Sequence, residues 1–309
     1  MSSATIATPH VPVMLERCLE ALGPLQDSWV VDATFGAGGH TRALLARGAR
    51  VVAIDQDPSA SQHAEALRRD LATAGVSRAE ERFRFVQGNF AELADHLESA
   101  GLPRASGVRA ALLDLGVSSM QIDEGERGFA FRHDGPLDMR MSGDGPSAAD
   151  VVNSWSHEEL AAALHRYGEE RHSRRLARAI VSAREEGPIT TTGQLAALLQ
   201  RAYPPGKRRD HPARRTFQAL RIVVNDELGT LTRGLQAAVE ALEPDGRLVV
   251  LAYHSLEDRI VKRTLREHPD LEALTKRPQQ ASQSEIEANP RARSAKLRAA
   301  RKLTSEGTP

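Results

Sequence analysis

The 309-residue chain has a single cysteine, Cys18, so it can build neither a disulfide framework nor a cysteine cluster for zinc. Cys18 falls in the helical pattern Met14, Leu15, Cys18, Leu19, Leu22 and reads as a core residue. Aromatic residues make up only 4% of the chain, and that scarcity, beside abundant Ala and Arg, says more about coding bias than about function. Net charge is absent too, because 41 Lys and Arg balance 41 Asp and Glu. There is no long apolar run and no internal repeat. The opening Met1 to Thr8 has no basic start followed by an apolar core. Neither a signal peptide nor a membrane span is therefore expected, and the cytoplasm is the expected location. The length is enough to bury a sizeable core as one large domain carrying an insertion.

What is present is concentrated at the ends of apolar runs. Val30-Val31-Asp32 breaks into Ala33-Thr34-Phe35-Gly36-Ala37-Gly38-Gly39-His40, and a helical pattern containing Leu44 and Leu45 follows. Closely spaced glycines let the backbone turn sharply and approach a ligand, as in strand-to-helix turns that hold nucleotide-like groups. A second buried strand, Arg50 to Ile54, ends in Asp55, about 20 residues beyond the turn, where a carboxylate can accept hydrogen bonds from ribose hydroxyls. The spacing Gly36-x-Gly38-Gly39 departs from the dinucleotide pattern Gly-x-Gly-x-x-Gly. An acid at Asp32 would repel a pyrophosphate but suits the cationic amino-acid end of S-adenosylmethionine. Phe83 to Gln87 reads as a third strand running into Gly88-Asn89-Phe90, where Phe90 is either core or a platform for a flat base. Ala110 to Leu113 is a fourth strand, ending in Asp114. Three strands thus finish in carboxylates at the edge of a parallel sheet where ligands bind.

The segments Asp32 to His40, Asp114 to Ser119, Glu126 to Phe129, Asp134 to Met141 and His254 to Lys262 resemble the bacterial MraW family of small-subunit ribosomal RNA cytosine-N4 methyltransferases. The resemblance extends through His10 to Val13, Tyr167 to Arg171, Thr216 to Arg221 and Asn289 to Ser294, nearly the whole chain. It departs at Met120, where proline is common. It implies a Rossmann-like class I methyltransferase sheet with an inserted all-helical domain. The implied reaction is methyl transfer from S-adenosyl-L-methionine to the exocyclic N4 of a cytidine in the decoding region of 16S RNA. The assembled 30S subunit is the expected partner, and a homodimer is compatible with it. Carried over by position, Gly38, Gly39 and His40 would contact the cofactor, Asp55 its ribose and Phe90 its adenine, with Asp114 and Gln121 completing the pocket.

A cytosine amino group is a poor nucleophile because its lone pair is delocalised into the ring. Acceptors aimed at the N4 hydrogens, with tight alignment, would favour attack. Asp114, Ser118 and Ser119 are the candidates, although either serine can equally serve as a helix cap. Related amino methyltransferases carry a proline-proline-aromatic motif here that this chain lacks. Two other constellations carry less. His254, Ser255 and Asp258 lie too close on one turn for a hydrolytic triad. Asp134, Asp138 and Asp144 lack calcium-ligand spacing, so no metal is expected.

The next convincing strand after Asp114, Gly246 to Ala252, comes only after a long helical interval. This divides the chain into a core (1–133), an inserted helical substrate-binding domain (134–215) and a returning core (216–309) with a basic tail. Helices are expected at Trp155 to Tyr167, Arg171 to Glu185, Thr192 to Ala202 and, in one piece, Thr216 to Leu242. Residues 1–120 hold 14 acids and 11 Lys or Arg, whereas His165 to Arg221 has 13 bases against five acids, and Arg291 to Lys302 has six bases and no acid. A basic insertion and a basic tail fit a protein that grips phosphates away from the chemistry. This segregation leaves DNA methylation, or a noncatalytic assembly factor that kept the fold, as rival readings.

Overall fold

The computed structural model describes residues 12–74, 79–103, 107–206 and 211–304, except for the side chains of Ala79, Glu80 and Ser119. Of the expected features, Met1 to Val11 and Lys207-Arg208-Arg209 lie outside these residues. The chain divides into two units, Met1–Gly116 with Thr230–Pro309, and Val117–Gly229.

The first unit contains α1 (Leu15–Leu22), β1 (Trp29–Asp32), α2 (Gly39–Ala46), β2 (Arg50–Asp55), α3 (Ala60–Thr73), α4 (Ala79–Arg82), β3 (Phe83–Gln87), α5 (Leu93–Ser99) and β4 (Val108–Asp114). The second contains α6 (Ser119–Asp123), α7 (Ala148–Ser154), α8 (His157–Gly168), α9 (Ser173–Glu186), α10 (Thr192–Ala202) and α11 (Ala213–Val224). The chain then returns through α12 (Glu227–Ala241), β5 (Leu242–Ala252), α13 (Ser255–Glu267), β6 (Leu271–Ala273), α14 (Gln283–Ala288) and β7 (Lys296–Lys302).

The strands form one sheet in the order β3-β2-β1-β4-β5-β7-β6. Strands β1 to β5 run parallel, and β7 lies antiparallel to both β5 and β6. This is a Rossmann-like α/β fold, and its strand order reverses between β1 and β4, where such sheets open a ligand crevice at their carboxyl ends. The apolar runs read as strands because both faces of the sheet are covered. Val30, Val51, Leu112 and Val249 pack on one side with Cys18, Leu44 and Leu67. Their neighbours Val31, Val52, Leu113 and Val250 pack on the other with Leu97, Leu235 and Val261. Cys18 is fully buried, as its helical spacing predicts.

The helical unit has its own core, which includes Leu160, Leu164, Leu176, Ile180, Leu195, Leu199, Phe217 and Leu220. Its helices begin where polar caps predict. Ser156 accepts from the Glu159 amide and Thr191 from the Gln194 amide, each in a reciprocal capping box. Two features differ from expectation. The unit is wider than 134–215, because Phe129 and Phe131 pack against its core from one end and Phe217 and Leu220 belong to it at the other. The single helix expected over Thr216 to Leu242 is broken at Asn225-Asp226, with Asp226 in the left-handed region at φ 44°. Side-chain hydrogen bonds account for the break: Asn225 Nδ2 donates to the Met139 carbonyl at 2.7 Å, and its Oδ1 accepts from the Met141 amide at 2.8 Å. Asn225 thereby ties the helix end to the loop at 139–141.

The expected basic tail also differs, since most of it is β7. Arg298 Nε donates to Asp258 Oδ1 at 2.7 Å, and Lys296 Nζ lies 3.3 Å from Asp258 Oδ2. Arg301 pairs with Glu272 at 2.6 Å and with Asp245 at 3.1 Å. Lys302 donates to the carbonyls of Glu240 and Leu242. These four cations already have partners within the sheet unit, and only Arg298 among them is buried. No helix among the described residues is long and apolar enough to cross a membrane.

Candidate active site at the carboxyl edge of the sheet

The turn after β1 is built as its glycines predict. Gly36 and Gly38 have φ of 53° and 78°, in the left-handed region that glycine enters without strain. A Cβ on Gly38 would also lie 2.7 Å from the Phe35 ring. Asp55 clamps this turn from the end of β2: its Oδ2 accepts from the Gly36 amide at 2.7 Å and its Oδ1 from the Asp57 amide at 2.9 Å. Burial pushes the Asp55 carboxyl up to about 6, against the pull of these two amides. One backbone donor on each oxygen leaves a second lone pair on each for ribose hydroxyls.

Asp32 has a structural task at the end of β1. Its carboxylate is fully buried, and it accepts from Thr41 Oγ1 at 2.6 Å and from the Thr34 amide at 3.4 Å. It therefore ties β1 to α2. Burial raises its pKa, while His40 and Thr41 oppose that shift.

At the end of β4, Asp114 is the centre of a partly buried polar cluster. Its Oδ1 accepts from the Tyr253 hydroxyl at 2.6 Å, and its amide donates to Thr34 Oγ1 at 2.7 Å. Its Oδ2 lies 3.8 Å from His40 Nδ1. Burial pushes the Asp114 carboxyl up, while His40 and then the Tyr253 hydroxyl pull it down. The Tyr253 phenol is held well above its usual range, first by burial and then by the Asp114 carboxylate, so it stays a donor. The buried Cys18 thiol is pushed up in the same way, which leaves it protonated and inert. His40 Nε2 is buried with no hydrogen-bond partner among the described residues.

The remaining candidates are placed as follows. Gly39 opens α2, where a Cβ would meet the Pro12 ring at 2.5 Å. Phe90 is partly buried against the second face of the sheet, and its ring occupies the space a Cβ on Gly234 would need. Ser118 and Gln121 belong to the helical unit and form a capping box on α6. Gln121 Oε1 accepts from the Ser118 amide at 3.0 Å, and Ser118 Oγ accepts from the Gln121 amide at 3.3 Å. Capping is thus the role seen for Ser118, and the side chain of Ser119 lies outside the described residues. His254 caps α13, and Asp258 is taken by Arg298 and Lys296, so these residues form no triad. Asp134 accepts from the Gly193 amide and Asp138 pairs with Arg140, so each has a structural partner.

Sequence reading missed Tyr253, Thr34, Thr41 and Glu257. Tyr253 was the most accessible of these, because it directly follows Ala252, the last residue of β5, at another carboxyl strand end. Glu257 is buried and accepts from the Tyr253 and His254 amides, fixing the turn that aims the Tyr253 hydroxyl.

The profile of the MraW methylase family matches residues 7–303. The chain is 54% identical over 289 residues to the ribosomal RNA small subunit methyltransferase H of Deinococcus radiodurans, covering 94% of this chain and 88% of the relative. It is 46% identical over 322 residues to the protein of the same name from Granulibacter bethesdensis, covering 97% and 93%. An rRNA methylase structure from Streptococcus thermophilus aligns with a TM-score of 0.44 at 14% identity, covering 96% of this chain and 100% of that one. The site residues fit S-adenosyl-L-methionine: Asp55 keeps free lone pairs beside the glycine turn, and His40 offers an unpartnered ring nitrogen at the same sheet edge. The chain therefore belongs to the MraW methylase family, and its cofactor is S-adenosyl-L-methionine.

Proposed function

We propose that this protein methylates small-subunit ribosomal RNA in the cytoplasm, at the exocyclic N4 of one cytidine in the decoding region, with the assembled 30S subunit as substrate. The observation that carries this reading is the near-full-length likeness to ribosomal RNA small subunit methyltransferases. S-adenosyl-L-methionine, when bound, supplies an electrophilic methyl group on a sulfonium. Transfer would exchange its C–S bond, whose electron pair would stay with sulfur, for an N4–C bond, with one N4 proton released to water.

The protein's own contribution is positioning and hydrogen-bond acceptance. Asp114 is the first acceptor for an N4 hydrogen. The Tyr253 hydroxyl occupies its Oδ1 and leaves Oδ2 to receive a donor. Thr34, accepting from the Asp114 amide, fixes where that oxygen sits. Gly38, Gly39, His40, Asp55, Phe90 and Gln121 are assigned to the cofactor, and Ser118 and Ser119 to the target amine. A cytidine inside a stacked helix cannot reach this edge, so the target base must be extruded.

The test is nucleoside mass spectrometry on small-subunit RNA from a strain lacking the gene. Naked RNA and intact subunits are each incubated with purified protein and labelled cofactor. Labelled N4-methylcytidine in the subunit alone is the expected result. No label in either, with cofactor binding intact by calorimetry, would sink the reading.

A further inference from the structure

In the helical unit one ridge carries cations that the protein itself does not use. Arg171, Arg174, Arg178 and Arg201 are exposed, and none of their guanidinium groups has a hydrogen-bond or ion-pair partner among the described residues. Arg174 and Arg178 stand one turn apart on α9, away from its buried Leu176, Ala177 and Ile180. Like charges at this spacing destabilise a helix, and here no acid offsets them.

The neighbouring backbone is held firmly. Glu170 is 1% exposed, and its carboxylate accepts from the His172 amide at 2.8 Å and from the Tyr203 hydroxyl at 3.3 Å. The turn that carries Arg171 is thereby pinned. Arg175 Nε donates to the Ala202 carbonyl at 2.6 Å, which brings the end of α10, next to Arg201, against the first turn of α9. Arg215 Nη1 donates to the Glu169 carbonyl at 2.8 Å, and a Cβ on Gly168 would lie 2.7 Å from the Arg215 carbonyl oxygen, so the start of α11 closes in beside them. Three helix ends thus meet at one rigid, positively charged ridge. The motif Tyr167 to Arg171 acquires a purpose there, with a buried acid anchoring the turn and an exposed arginine following it.

We propose that this ridge is the docking surface for the phosphate backbone of the RNA substrate, an inference that rests on the RNA reading above. Guanidinium groups match phosphate oxygens in a two-pronged geometry, and an unpaired group forms such a contact without first breaking an internal one. Contacts of this kind fix register and orientation, while the sheet edge acts on the base.

The test measures equilibrium binding of intact small subunits, purified from a strain lacking the gene, across a series of monovalent salt at fixed magnesium. The full-length proteins are wild type, the triple variant Arg171→Ala/Arg174→Ala/Arg178→Ala, and the matching triple lysine variant. A control triple on α13, Lys262→Ala/Arg263→Ala/Arg266→Ala, removes the same charge elsewhere. In the alanine triple, the slope of log affinity against log salt is expected to fall by about two, as the loss of three phosphate contacts requires. The lysine triple should keep the slope, because it keeps the charge. An unchanged slope in the alanine triple overturns the assignment, and so does an equal fall in the α13 control. Calorimetric cofactor binding by each variant verifies that the fold is retained. If wild type labels no small-subunit RNA, the functional reading fails while the binding comparison still decides the ridge. If it labels RNA and the slopes are equal, the ridge fails alone.

Discussion

Two arginine-rich segments of equal promise in the sequence have opposite fates in the fold. In β7 the cations face acids of the same unit: Arg298, 6% exposed, is locked to Asp258, and Arg301 bridges Glu272 and Asp245. On α9 and the turns around it, Arg171, Arg174 and Arg178 face solvent with no partner among the described residues. Counting bases along a chain measures supply, whereas the fold decides how much is left over for another molecule. A cation already paired inside must break that pair before it can hold a phosphate.

The sharpest way to break this comparison is Arg298→Ala. Removing one partner of a largely buried ion pair leaves the Asp258 carboxylate uncompensated and should cost about 3 kcal/mol, read from urea unfolding. The same change should leave the RNA salt slope untouched. A smaller, pH-dependent effect follows from Asp258. Burial alone would raise its pKa, but Arg298 and then Lys296 hold it below the ordinary carboxyl range. A depressed carboxyl stabilises the fold above its unfolded value, about pH 4, and that contribution is lost as pH falls through the depressed value. The stability gap between wild type and Arg298→Ala should therefore be widest near neutrality and close in acid; a gap constant from pH 7 to pH 3 would contradict the pairing. Arg301→Ala removes two exposed bridges and should cost less than about 1 kcal/mol. Last, Arg174→Ala/Arg178→Ala relieves a like-charged pair and should raise the unfolding midpoint slightly, by the equivalent of about 0.3 kcal/mol. A loss of several kcal/mol there would mean that these arginines do have internal partners.

The parts of this molecule legible in its sequence were those fixed by short-range rules. Apolar runs ending in Asp32, Asp55 and Asp114 gave the strand ends, and Gly36 and Gly38 gave the turn, because only glycine enters that backbone region without strain. Ser156 and Thr191 gave helix starts through their local amide bonds. What escaped depends on contacts distant in sequence. Asn225 breaks a helix because it reaches loop residues 84 and 86 positions away, and no proline or glycine marks the spot. The strand Lys296 to Lys302 reads as a tail because its charges become sheet residues only when Asp258, Glu272 and Asp245 come alongside. Asp32 shows in the sequence only as the acid that ends a strand. Its use by Thr41, nine positions on, appears only once α2 has folded back.

The placement of β7 has a consequence for the order in which the protein takes shape. It is the last described strand in sequence, yet it sits inside the sheet between β5 and β6. During vectorial synthesis the helical unit can pack while the Val- and Leu-rich edge of β5 is still bare, since the segment that covers it leaves the ribosome later. An uncovered strand edge of that composition is a template for pairing with another chain. Nascent molecules stalled before Lys296 should therefore be the ones that aggregate.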